Sequence, residues 1–222
     1  MLKNKRNLLI LLGVLLAAFA HGCSGKEVKE DDPNALYTAA EEDIEDSRYE
    51  LALEKLRMVK NRFPYSNLSQ KAQLRIADVY FLQENFVEAA SSYDLFKDLH
   101  PKHASVPYAM YRAGEAYYQD IPGNIARDLG SAQKSLDSFS AFLRRFPADA
   151  KAPDAQGRAN EVRRILASKE EYIGNFYYRN DNWLSAQKRY RKLIELYPET
   201  ESAKNVQEKL KKAEEMAKKE SG

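Results

Sequence analysis

Few side chains in this 222-residue sequence have the type and spacing for covalent or metal chemistry. Cys23 is the only thiol, and it directly follows Ala20-His21-Gly22. A chain with one cysteine has no partner for an internal disulfide, so an exported protein would need another use for it. Beyond His21, the histidines are His100 and His103. A spacing of three can hold a metal on a helix, but Pro101 interrupts this pair and no third ligand is near in sequence. A solvated turn is expected there, with no metal. No HExxH, GxSxG or GxxxxGK[ST] occurs, and no nucleophile has a base close by in sequence, so no enzymatic activity is expected.

Lys3, Lys5 and Arg6 precede Leu8–Ala20, an uncharged run of 13 residues. A membrane-crossing helix needs about 20 apolar residues, so the run fits the core of an export signal over residues 1–22. The Gly22-Cys23 junction resembles the lipobox of bacterial lipoproteins, although Ala20 and His21 stand where Leu and a small residue are usual. The resemblance implies cleavage before Cys23, with an N-palmitoyl and an S-diacylglycerol group on that cysteine and no other cofactor. Ser24 after it implies sorting to the inner leaflet of the outer membrane, with the chain facing the periplasm. Residues 23–32 then form an acylated, flexible tether.

Removing residues 1–22 leaves 32 Lys and Arg against 33 Asp and Glu, a formal charge of −1. Nucleic-acid binding demands clustered positive charge, and this balance gives no case for it.

The elements that would position any site come from an internal repeat. Four segments end in Phe63-Pro64, His100-Pro101, Phe146-Pro147 and Tyr197-Pro198. With each proline at position 32 of a tetratricopeptide repeat, position 20 holds Ala52, Ala89 and Ala186. Position 8 holds Ala40, Ala77 and Gly174, position 24 holds Leu56, Tyr93, Phe139 and Tyr190, and position 17 holds Tyr49, Phe86 and Trp183. Small residues let paired helices cross closely while large ones fill the space alongside, and the proline stops the second helix. The prediction is an all-α tetratricopeptide-repeat superhelix of about nine helices in antiparallel hairpins, without strands. Its domain spans 33–219, with repeats at about 33–66, 69–103, 106–149 and 153–201 and a terminal helix at 202–219.

Two irregularities are expected. In the third unit Gly114 lies nine residues too far from Pro147, and the surplus falls in Ile121–Gly130, a loop by its Pro-Gly pair. In the fourth, no breaker separates Pro153 from Ile173, which predicts one helix of about 27 residues.

In such a superhelix the concave face is lined by first-helix positions 2, 5, 9, 12 and 13. Among the residues there are Tyr37, Phe81, Tyr108, Tyr111, Tyr118, Tyr178 and Arg179. These predict an aromatic groove with few charges, suited to an extended peptide with aromatic and apolar side chains. Arg179 is the candidate for reading a peptide carboxylate.

Leu36–Ala40, Asn61–Ser66, Tyr108–Gly114, Arg127-Asp128 in the long loop, Phe139-Ser140, Arg145–Pro147, Asp154-Ala155 and Glu171–Tyr178 carry a likeness over roughly residues 33–203. Through them the chain resembles the BamD family of tetratricopeptide lipoproteins from the outer-membrane β-barrel assembly machinery. The C-terminus departs from the family, since only one helix is expected after Pro198. The resemblance implies a non-catalytic scaffold that binds unfolded outer-membrane proteins, a BamA-like barrel protein and other assembly lipoproteins. The alternative is a periplasmic repeat adaptor in cell-envelope or peptidoglycan coordination.

Overall fold

The computed structural model describes residues 29–220; the expected signal segment and Cys23 lie outside them. Ten helices and no strand occur among the described residues. They are α1 (Pro33–Glu45), α2 (Tyr49–Arg62), α3 (Asn67–Leu82), α4 (Phe86–Leu99) and α5 (Val106–Gln119), then α6 (Gly130–Arg145), α7 (Ala152–Arg179), α8 (Trp183–Leu196), α9 (Glu201–Asn205) and α10 (Gln207–Glu220). Each helix packs on the next, so the first helices α1, α3, α5 and α7 alternate with the second helices α2, α4, α6 and α8. The fold is an all-α, tetratricopeptide-like superhelix.

The spacing rule operates at each hairpin crossing. Ala40, Ala77, Ala52, Ala89 and Ala186 are fully buried. A methyl group added at Gly114 would lie 2.8 Å from Cε1 of Phe139. One added at Gly174 would lie 2.7 Å from Cδ1 of Tyr190. Phe139 and Tyr190 are themselves fully buried, so position 8 is small because the ring at position 24 occupies its Cβ space. In the third unit position 20 is Ser135, whose hydroxyl donates to the Gly114 carbonyl at 2.9 Å. A small polar residue thus meets the same steric demand and satisfies its own hydroxyl.

The turn between first and second helices repeats with equal regularity. Ser47, Glu84 and Asp181 all occupy position 15 and all have positive φ, at 58°, 59° and 55°. Behind each, the next amide bonds back five residues: Arg48 N to Asp43 O, Asn85 N to Tyr80 O and Asn182 N to Tyr177 O. This is the six-to-one bond of a Schellman-type helix end, in which the left-handed residue is usually glycine. Tyr49, Phe86 and Trp183 then open the second helices.

Unit three has no such turn. Residues 120–129 form the expected loop, and the Lys169 ammonium on α7 donates to the carbonyls of Ile125, Ala126 and Arg127 at 2.7, 3.0 and 2.9 Å. The long helix expected after the third unit is α7, at 28 residues.

The expected terminal helix, in contrast, is two. It breaks at Val206, which is fully buried. Thr200 caps the short α9 by accepting from Ala203 N at 3.3 Å. Helix α9 touches both α7 and α8, whereas α10 rests on α8. One straight helix could not make both contacts, so burial of Val206 overrides helix continuity.

Candidate binding groove on the first-helix face

The first helices carry a ladder of paired charges and phenols. Arg75 on α3 donates to Glu41 on α1 through Nε at 3.0 Å and Nη2 at 2.7 Å. Asp78, one turn along α3, accepts from the hydroxyls of Tyr93 at 2.6 Å and Tyr108 at 2.7 Å. One carboxylate therefore joins α3, α4 and α5. Arg112 on α5 lies with its guanidinium 3.8 Å from the Phe81 ring centroid. It donates to the Tyr93 hydroxyl at 3.3 Å and to Glu115 at 2.9 Å. Tyr111 places its hydroxyl against Glu115, at 3.0 Å, and against Asp154 at the start of α7. Its single hydrogen serves one of these acceptors at a time.

These contacts set the protonation states. Burial, reinforced by Glu41, pushes the Tyr37 phenol up to about 12. Burial and then Asp78 push Tyr108 to about 12 as well. Burial followed by the Asp154 and Glu115 bonds raises Tyr111 further. Burial disfavours the charge on Arg112, but Tyr93 and Glu115 outweigh it and hold that guanidinium above its ordinary value. Tyr37, Tyr108 and Tyr111 are therefore neutral phenols, and Arg112 a cation, at any physiological pH.

A cavity of about 410 Å³ opens on this face. Tyr108, Tyr111, Arg112 and Glu115 of α5 line one wall, and Asp149 and Lys151 before α7 line the other. The expectation of few charges does not hold at this position. The missed signal was in the sequence: acids recur at Glu41, Asp78 and Glu115 and arginines at Arg75 and Arg112, each series at a spacing of 37. Asp149, Lys151 and Asp154 reach the site through the approach of α7 to α5, which no local pattern reveals.

The structure divides the expected groove residues. Tyr37, Phe81, Tyr108 and Tyr111 share the ladder. Tyr108 remains 42% exposed and can contact a ligand, but Tyr111 is only 4% exposed. The Tyr111 ring packs edge-on to Phe139 and Phe142, with centroids 6.0 and 5.9 Å away. It is a core side chain whose edge reaches the cavity, because position 5 faces the next hairpin as well as the groove. Tyr118 lies beneath the Arg158 guanidinium at 4.6 Å and borders a separate cavity of about 290 Å³ with Ile121, Ile125 and Ile165.

Tyr178 and Arg179 do not join the others. At 1.5 Å per residue they lie about 36 Å along α7 from Asp154, which touches Tyr111. Tyr178 packs on Trp183 and Tyr190, and Lys212 of α10 covers its ring at 5.7 Å. The terminal helix thus occupies the place that a groove contact would need.

His100 meets Gln73 at 2.9 Å, and His103 Nδ1 accepts from Ser105 N at 3.0 Å. Both rings rest on Phe96, so this turn is half-buried rather than solvated.

No helix among the described residues is long and apolar enough to cross a membrane. Three similar proteins carry the name outer membrane protein assembly factor BamD. That of Caulobacter vibrioides is 29% identical, the alignment covering 86% of this chain and 64% of the relative, just under two thirds of its length. That of Vibrio cholerae is 27% identical over 87% of this chain and 85% of the relative. That of Neisseria meningitidis serogroup B is 28% identical over 86% and 78%. The YfiO family model, described as outer membrane lipoprotein, matches residues 29–221. On this match, which spans the whole repeat array, the chain belongs to the YfiO/BamD family of outer membrane lipoproteins.

Proposed function

We propose that the protein is a non-catalytic scaffold for outer-membrane protein assembly. It receives unfolded outer-membrane proteins on the first-helix face and passes them to a BamA-like barrel protein, in company with other assembly lipoproteins. The observation that carries this reading is the Tyr108–Arg112 cavity, an open pocket with phenol, guanidinium and carboxylate groups held in place by the ladder. Such a surface offers an extended chain both ring contact and main-chain hydrogen bonds. The relatives' shared name supplies the process.

In this reading the chain is held at the inner leaflet of the outer membrane, facing the periplasm, by N-palmitoyl and S-diacylglycerol groups on Cys23. The repeat domain begins at Pro33, after the tether. Docking to the barrel component uses the second half of α7. There Phe176 is 53% exposed and Tyr172 45% exposed. Phe176 holds the repeat position at which Val79 and Ala116 are sealed in the core and Glu42 is exposed. An exposed aromatic where two of the other three units bury an aliphatic residue, beside the exposed Tyr172, supports a surface kept for a partner.

Depletion tests the function. Loss of the protein should lower the amount of folded β-barrel proteins in the outer membrane. Wild-type protein should restore them, while a Tyr108→Ala, Phe176→Ser double variant that still folds should not. Unchanged barrel proteins after depletion would exclude the reading. Cys23→Ser should leave the protein unable to sediment with outer membranes, and wild-type fractionation of that variant would remove the anchor.

A further inference from the structure

We infer that the edge of the superhelix at which α1 begins is a docking surface for an anionic phospholipid bilayer, so that the first three repeats lie edge-on against the leaflet holding the anchor. The inference rests on the Cys23 anchor proposed above and goes beyond it. The near-zero net charge conceals a division between two edges. On one edge the second helices of the first three units turn into the next first helix, over residues 60–67, 97–105 and 144–151. These turns hold seven basic residues and two acidic ones. On the opposite edge the first helices turn into the second, over residues 45–50, 83–88 and 120–130. These hold two basic residues and seven acidic ones.

Helix dipoles do not account for the division, because the macrodipole favours cations at helix C-termini on either edge. Lys60 and Arg62 end α2, Lys97 ends α4, and Arg144 and Arg145 end α6. The last turns of α1, α3 and α5 carry no cation. The pattern stops in the fourth unit, where Arg179 ends α7 and α8 ends without one. The basic turns adjoin one another. His100 in the second meets Gln73 of α3 at 2.9 Å, and Arg145 in the third donates to the Pro101 carbonyl at 2.6 Å. Lys60, Lys102 and Arg144, one in each turn, pair with no carboxylate among the described residues.

Two further observations point this edge at a membrane. Tyr65 at the tip of the first turn is fully exposed, and Leu99 at the end of α4 is 59% exposed. Tyrosine suits the headgroup level of a bilayer, and cations beside it gain from anionic lipid. The chain also enters the domain here, since residues 29–32 lead into α1 and Glu30 meets Arg62 at 3.1 Å. Glu30 is seven residues from Cys23, a reach of at most about 25 Å. The 13 residues of α1 set the acidic edge about 20 Å farther off.

The test uses the lipid-modified chain reconstituted on vesicles of phosphatidylcholine alone or mixed with phosphatidylglycerol. A fluorophore is placed on the basic edge through Ala148→Cys or on the acidic edge through Glu88→Cys, and a quencher is carried on lipid headgroups. On anionic vesicles the label at 148 should be quenched and the label at 88 should not. Neutralising each cation should lower the ratio of apposed to free edge by about fivefold. Lys60→Gln, Lys102→Gln and Arg144→Gln together should therefore bring the label at 148 to the level of that at 88, at unchanged melting temperature and flotation. High salt should do the same. Equal quenching at both edges overturns the lipid surface while leaving the anchor, as does quenching at 148 that neither neutral lipid nor the triple variant reduces. Vesicles of both kinds that float without the protein overturn the anchor and the docking edge together.

Discussion

Alanine at Gly174 should destabilise the protein although it replaces glycine in the interior of a helix. Intrinsic propensity favours the change by about 0.8–1 kcal/mol. Packing opposes it. The new Cβ would lie 2.7 Å from Cδ1 of Tyr190 and closer still to Cε1. The Tyr190 ring cannot swing away, because it is fully buried and its hydroxyl is bonded to Asn175 at 2.9 Å. Overpacking costs about 1–3 kcal/mol, and a clash with an immobile ring belongs at the upper end. The net loss is about 1–2 kcal/mol, which for a domain of this size lowers the melting temperature by about 2–8 °C. Gly157 on the same helix is the matched control, since nothing lies within 4 Å of its missing Cβ. Gly157→Ala should gain about 1 kcal/mol and melt about 2–4 °C higher. Thermal melts followed by circular dichroism, with urea midpoints alongside, measure both. Tyr190→Leu should relieve the clash, so the double variant with Gly174→Ala should be more stable than additivity predicts by about 1 kcal/mol or more. The close-crossing argument is refuted if Gly174→Ala melts at or above wild type, or if the two alanine variants coincide.

Glu84 adopts φ of 59°, so Glu84→Gly should raise stability by about 0.5–1 kcal/mol, the left-handed penalty less the chain entropy that glycine adds; an unchanged urea midpoint would count against strain at position 15. Lys169→Met removes three charge-assisted bonds from the 120–129 loop and should cost about 1–2 kcal/mol, with faster amide exchange confined to that loop, whereas unchanged exchange would show the clamp to be idle. At Asp43, burial raises the carboxyl pKa but hydrogen bonds from Lys55 and Arg48 prevail and hold it below its ordinary value. Its contribution is therefore complete above the unfolded value near about 4 and is lost as pH falls through the lower folded value. Wild-type melting temperature should thus fall more steeply below about pH 4 than that of Asp43→Asn, and parallel profiles would contradict the assignment.

The hairpin register was legible because it is a steric relation between residues a fixed distance apart. Alanine or glycine at position 8 and a large side chain at position 24 read the same in the chain and in the fold, and the surplus at Ile121–Gly130 marked the loop. The break at Val206 was not legible, since Ser202–Lys219 has an unbroken helical pattern and the two packing surfaces that divide it belong to α7 and α8. For the site, periodicity placed Tyr108, Tyr111 and Tyr178 on one face of their helices. It could not say what covers that face: solvent for Tyr108, the α6 phenylalanines for Tyr111, α10 for Tyr178. The recurrence of Glu41, Asp78 and Glu115 was present in the sequence, but their pairing with Arg75, Tyr93, Tyr108 and Arg112 is a contact between repeats. Local pattern determines which way a side chain points from its own helix; only tertiary packing decides what meets it. That is why Lys151, unremarkable in its own loop, meets the Tyr111 ring in a cavity once α7 comes up against α5.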